Sequence, residues 1–261
     1  MTQVAVAAAL VVLAVVLSRV GGLGLERDVA LSALRAAVQL TAVGAIVALV
    51  FEHGGLAAAF VAVMLGTATL TSGRRLRGVP QARLRAGAAI AAGAATGIVP
   101  LLATGAFDTT ARQVIPVAGI LIGGAMAATS VTGSRLVEQV IDDIAAIETR
   151  LALGVPVRTA LATGVRRAAT TGLIPLIDQT KNVGLVTLPG TFVGLVLGGA
   201  SAAEAARVQL TVLLALLAVE VVAALTVARL VVAGVTAPGE RITRPERSRS
   251  GGSRPRWRPR P

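Results

Sequence analysis

The sequence predicts an all-α, polytopic membrane protein of about seven transmembrane helices. Three observations predict it. Hydrophobic residues make up 54% of the 261 residues and charged ones 15%, against about 25% charged in a soluble domain. The mean hydropathy is +0.79. The apolar residues also fall into runs close to the roughly 20 residues that a helix needs to cross a bilayer.

The first span is expected near Thr2–Ser18. No basic residue precedes it and no clear small-residue cleavage site follows, so it reads as a span rather than a signal peptide. Further spans are expected near Val29–Phe51, Leu56–Ser72, Ala86–Ala106 and Val114–Val131. The sixth is expected near Gly184–Ala200, with a broken start, and the seventh near Val208–Val232. Together, residues 1–237 form one transmembrane domain. The tail, 238–261, is rich in arginine, proline, serine and glycine. It is expected to be disordered because it has little apolar area to bury. It is read as a solvated tail, with contact to anionic lipid as the alternative.

The arginines orient the spans. Arg74, Arg75, Arg77, Arg83 and Arg85 follow the third span, and Arg135, Arg150, Arg158, Arg166, Arg167 and Lys181 follow the fifth. The tail adds eight more, from Arg241 to Arg260. The opposite loops hold little charge beyond Glu52 and His53, Asp108 and Arg112, and Glu204 and Arg207. The positive-inside rule then predicts the N-terminus out and the C-terminus in.

Past the fifth span, Val137, Val140, Ile141, Ile144, Ile147 and Leu151 recur at spacings of three and four. This stripe predicts that the fifth helix runs on to Leu153, about 60 Å in all, and projects into the cytoplasm. Gly154 supplies a stop, and Pro156 fits the first turn of a new short helix. The region of about 133–183 is thus a projecting helix, turn and short helix. Glu148, Gly154 and Pro156 mark it as a docking site for a partner protein, or as an amphipathic helix lying on lipid.

Several function classes are excluded. There is no G-x-x-x-x-G-K-[ST] loop, so no P-loop ATP site. There is no cysteine and one histidine, His53, which leaves no soft-metal cage. Aromatic residues are only 2%, too few for base stacking, so the net charge of +12 does not indicate nucleic acid. No nucleophile–base pair is evident. An enzyme and a resident cofactor are therefore not expected.

The polar residues near the spans are the site candidates. Arg35 and Gln39 lie one turn apart on the second helix; they form a polar pathway face, or Arg35 snorkels. Asp178, Lys181 and Asn182 lie within one turn just before the sixth span, and Lys181 is the sole lysine. They form a local ion pair, or a gate at the cytoplasmic entrance that moves about a break at Pro189-Gly190. Glu220 is a lone carboxylate in mid-span, a cation contact, proton site or dimer hydrogen bond. No residues identify a metal site.

The segments LRAAVQL, QVIPVAGILIGGAM, ETRLALG, LIPLIDQTKNVGLVTLPGTFVGLVLGG and ARVQL, in that order, resemble the FetB-like ABC-transporter permeases. Plant aluminium-tolerance permeases are relatives of that family. The likeness runs from Leu25 to Leu230 and rests most on the D-x-x-K-x-x-G-L-x-x-L-P-G pattern, Asp178 to Gly190. Gln113, Pro116 and Met126 fit the family's fifth helix, and Arg35 and Gln39 its second. The resemblance implies the permease subunit of an ABC transporter in the plasma membrane, working as a homodimer with a separate ATPase subunit. Its implied cargo is small and inorganic or chelated, with export of iron or a similar metal. Two features depart from the pattern. The importer signature E-A-A-x-x-x-G is only echoed, at Glu148 and Gly154. Glu220 does not belong to the pattern, and it supports the alternative of an ion-coupled secondary transporter.

Overall fold

The computed structural model describes residues 2–52 and 55–245. His53 and the arginines from Arg247 onward lie outside the described residues. The chain divides into two compact units, one ending at Gly54 and the other beginning at Gly55.

The first unit is a helix pair, α1 (Thr2–Val20) and α2 (Glu26–Glu52). The turn between them uses Gly22 and Gly24, both at positive φ, and the Leu25 N–H donates to Ser18 Oγ at 3.3 Å. Glu26 and Asp28 in the first turn of α2 complement the positive end of its dipole.

The second unit holds α3 (Leu56–Arg75), α4 (Ala82–Ala103), α5 (Ala111–Asp142), α6 (Ile144–Ala152), α7 (Val157–Asn182), α8 (Gly190–Leu197) and α9 (Ala202–Val235). Ser201 caps α9, accepting the Glu204 N–H at 3.2 Å, the Ser-x-x-Glu signature of a helix start. A hairpin of β1 (Thr236–Ala237) and β2 (Arg241–Ile242) follows. Among the described residues, six helices are long and apolar enough to cross a membrane: α1, α2, α3, α4, α5 and α9.

Small residues let these helices approach to backbone distance, which is how helices associate where lipid removes the hydrophobic drive. A Cβ on Gly93 of α4 would lie 2.7 Å from the Val219 carbonyl oxygen and 2.9 Å from Ala223 Cβ on α9. One on Gly97 would lie 2.6 Å from Val219 Cγ2 and 3.0 Å from Leu121 Cδ1. On α5, Gly124 leaves room for Glu220, whose Oε1 would be 2.6 Å from an added Cβ. Ser72 of α3 and Ser130 of α5 share a buried hydrogen bond of 2.8 Å.

These contacts fix the directions. Leu121 and Val219 meet at one level, and Leu136 and Val231 share the core nearer the C-terminal ends of α5 and α9. So α5 and α9 run parallel. A chain that leaves α5 at one end and enters α9 at the other must return in between. The return is α7 followed by α8. Gly164 faces Gln139 and Gly172 faces Thr132, so α7 runs antiparallel to α5. Thr191 and Leu195 of α8 then border the same recess as Gln113 and Pro116, at the start of α5.

Four expectations change. The sixth span is not one helix over 184–200. Its first part is α7, 26 residues and about 39 Å long, and the chain breaks at 183–189 before the eight-residue α8. The polar residues along α7 keep it out of the six helices apolar enough to cross a membrane. The fifth helix does not continue to Leu153; it is interrupted at Asp143, and α6 takes up the rest. The helix after Gly154 is long rather than short. Within the tail, the described part from Pro238 to Pro245 begins as a hairpin turn instead of disordered chain.

The packing predicts that Gly93→Ala lowers the melting temperature in detergent micelles, by a stability loss of about 1–3 kcal/mol. Gly66→Ala meets nothing within 4 Å and is expected to be neutral, or to stabilise by up to about 1 kcal/mol. Equal melting shifts of the two variants would contradict close approach at Gly93.

Candidate functional site

Two places in the second unit bring the polar candidates together. The first is the outward face of α7. Thr163, Arg167, Thr170, Thr171, Asp178 and Lys181 are all exposed. Their spacing of three and four, interrupted by Ile174, aligns them in one stripe. The opposite side of α7 is packed, with Leu161, Ala168 and Gly172 buried.

The register with α5 sets the depth of this stripe. Continued from Gly172 beside Thr132, it carries Asp178 to the level of Met126 and Lys181 to that of Gly123. That is the middle of the apolar part of α5 and the level of Glu220. The group therefore lies at the far end of α7, level with the middle of the apolar part of α5 and just before the break at 183–189. Sequence reading missed this because it began the crossing at Gly184.

Asp178 and Lys181 form an ion pair of 3.4 Å, with side chains 57% and 68% exposed. Lys181 also sits in the last turn of α7, where a cation complements the negative end of the helix dipole. Asn182 ends the helix and its carbonyl accepts the Val186 and Thr187 N–H groups at 3.0 and 3.3 Å. Gly184, at φ +85°, donates to the Thr187 carbonyl at 2.9 Å. The break is thus a compact turn that satisfies part of its own backbone. Pro189 caps α8 with φ −61° and ψ 145°, and Gly190 is its first residue.

Each charged group exposed to hydrocarbon at mid-depth costs about 2.5–3.5 kcal/mol on insertion scales. A polar stripe on a crossing helix fits a second protein surface or a water-filled path.

The second place is the arginine-rich end. Gly154, at φ +83°, ends α6 in a Schellman motif. The Gly154 N–H donates to the Leu151 carbonyl at 2.9 Å and the Val155 N–H to the Arg150 carbonyl at 3.0 Å. Pro156 is the cap residue of α7, at φ −59° and ψ 146°. Glu148 on α6 makes a two-pronged pair with Arg244, at 2.8 and 2.9 Å from Nη2. Glu240, in the hairpin turn, accepts the buried Val157 N–H at 2.6 Å. Sequence reading missed Glu240 and Arg244 because it assigned them to a disordered tail.

The remaining candidates lie elsewhere. Arg35 and Gln39 share a face of α2 in the first unit. Gln113 is tied to the loop before α5: it accepts the Asp108 N–H at 2.8 Å and donates to Asp108 Oδ2 at 2.9 Å. Glu220 is 2% exposed among α4, α5 and α9, and its Oε2 has no hydrogen-bond partner. Among the described residues, no three His, Cys, Asp or Glu side chains cluster as a metal site.

Residues 1–235 match the model of an uncharacterised protein family, UPF0014. The chain belongs to this family. The UPF0014 membrane protein STAR2 of Oryza sativa subsp. japonica is 40% identical over 79% of this chain and 73% of its own length. The protein ALUMINUM SENSITIVE 3 of Arabidopsis thaliana is 37% identical over 82% of this chain and 79% of its own. The probable iron export permease protein FetB of Escherichia coli strain K12 is 32% identical over 82% of this chain and 84% of its own. No solved structure matches the chain. With six helices long and apolar enough to cross a bilayer among its described residues, this UPF0014 chain is a multi-pass membrane protein.

Removing the Glu240 carboxylate leaves a buried N–H at the start of α7 without a partner. Glu240→Ala is expected to cost about 1–3 kcal/mol, read as a lower melting temperature. Arg244→Ala breaks only an exposed pair and should cost less than about 1 kcal/mol. The reverse ranking would show that the hairpin is held through Glu148 instead.

Proposed function

We propose that this chain is the permease subunit of an ABC transporter that exports a metal ion, iron or a similar one, in free or chelated form. One observation supports the proposal: in a UPF0014 chain, a helix packed antiparallel on α5 carries a stripe of exposed polar residues, broken at Ile174, that ends at the Asp178–Lys181 pair. A relative of this chain is named a probable iron export permease. With no phosphate-binding loop in the sequence, energy comes from a separate ATPase.

Two copies of the chain face each other across the α7 stripe, and cargo passes between them. A homodimer removes the cost of presenting the Asp178–Lys181 pair to lipid. The N-terminus lies outside and the C-terminus in the cytoplasm. The arginines from Arg74 to Arg85, and those of α6, α7 and the hairpin, support this orientation. The ATPase docks on the arginine-rich end, against α6 and the Gly154 elbow, in the plasma membrane. Movement of α6 is transmitted to α7, because the elbow joins the two helices directly and Glu240 holds the start of α7.

Asp178→Asn and Lys181→Met should each lower metal efflux, measured as cellular metal content, at least about tenfold if transport needs the pair. Dimer and ATPase should still co-purify. Unchanged efflux in both variants removes the α7 face from the pathway. At the other end, Glu148→Arg with Gly154→Pro should abolish co-purification with the cognate ATPase, and full retention rejects docking there.

The burial and missing partner of Glu220 favour a second reading, an ion-coupled carrier. It requires transport without any ATPase and loss of transport in Glu220→Gln. The ABC proposal expects Glu220→Gln to keep its ATP-dependent efflux.

A further inference from the structure

A groove of about 980 Å³ runs between α7 and α9, beside the polar stripe of α7 and meeting it at Thr170 and Ile174. Its two ends differ in chemistry. Toward the arginine-rich end it is bordered by Arg158 and Arg166 on α7 and Arg229 on α9. Toward mid-membrane it is bordered by Ile174, Ile177 and Leu225. Among the described residues, no acidic side chain lines it. None of the three guanidinium groups has an acidic partner among the described residues.

We propose that this groove binds an anionic phospholipid, with its phosphate among Arg158, Arg166 and Arg229 and an acyl chain along Ile174, Ile177 and Leu225. Three arguments select this occupant. Arg158 and Arg166 lie in the first three turns of α7 and Arg229 in the last two turns of α9; arginines there without acidic partners need anions, and the bilayer surface supplies phosphates. The polar-to-apolar order along the groove is the order of a lipid from headgroup to tail. The helix length from Arg158 to Ile177 is about 28 Å, enough for one leaflet with its headgroup, about 20–22 Å. The volume is also at the upper end of the range for small-molecule pockets, larger than a single inorganic anion needs.

A lipid here would bear on α7, the helix that joins the Gly154 elbow to the Asp178–Lys181 group. Its binding is independent of whether the chain transports metal, so the two can fail separately.

The full chain, purified in neutral detergent, is exposed to phosphatidylglycerol or phosphatidylcholine and examined by native mass spectrometry and thermal melting. The wild type should retain phosphatidylglycerol and melt higher with it than with phosphatidylcholine. Arg166→Gln with Arg229→Gln should lower that retention by about fivefold for each arginine removed, with no loss of folding in phosphatidylcholine. Arg75→Gln with Arg77→Gln removes the same charge away from the groove and should leave retention unchanged. Leu225→Trp, at an exposed lining position, should lower retention without altering charge. Equal losses in the two arginine pairs would show unspecific surface charge and overturn the site. The same stabilisation by inorganic phosphate would make the ligand a free anion. A change in oligomeric state in the groove variants would mean that a second copy fills the groove, and either result rejects the proposal.

Discussion

The close approach of α9 to α4 and α5 is the constraint on which the rest of the second unit depends. In a bilayer, one apolar surface gains little by leaving lipid for another, so the gain must come from fit. Gly93, Gly97 and Gly124 supply it by leaving no side chain between the helices. The same contacts fix α5 and α9 as parallel. Their parallel course obliges the chain to cross back, and the crossing back is the part that carries charge.

That return is built unlike the other crossings. One side of α7 packs on α5 with small and apolar residues, as a buried helix should. Another side carries threonine, arginine, aspartate and lysine. Bare backbone is tolerated at this depth only where protein or water satisfies it. The turn from Val183 to Thr187 satisfies some of it internally. Exposed Leu185 and Val186 on the same turn supply apolar surface that a second copy or lipid can cover. Ion pair, helix end and break thus fall together at one level.

At the arginine-rich end, short-range chemistry does the positioning. A left-handed glycine closes α6, a proline starts α7, and the carboxylate of Glu240 occupies the first free N–H. The cap comes from 83 residues downstream. A motion of α6 would therefore be felt by α7 and by the end of α9 at the same time.

Much of the fold was legible in the sequence. The apolar runs of α1 to α5 and α9 were found close to their observed positions, because a crossing helix must be apolar over a fixed length whatever it touches. Gly154 and Pro156 were legible as a stop and a start because their backbone preferences are local. The Asp178–Lys181 pair was legible as an i, i+3 spacing. What the sequence could not determine was depth. Helix α7 has low hydropathy because one face is polar, so a windowed average passes over it, while its contacts with Gln139 and Thr132 lay it antiparallel to α5. Plotting 157–182 on a helical wheel would have exposed the stripe, but not that the opposite side has α5 to pack on. Glu240 and Arg244 were beyond reach for the same reason. Sequence alone determined which segments are apolar and where helices start and stop, since those depend on near neighbours. Only the tertiary structure decided which polar residues share a level and a face, since that depends on how distant helices lie against one another.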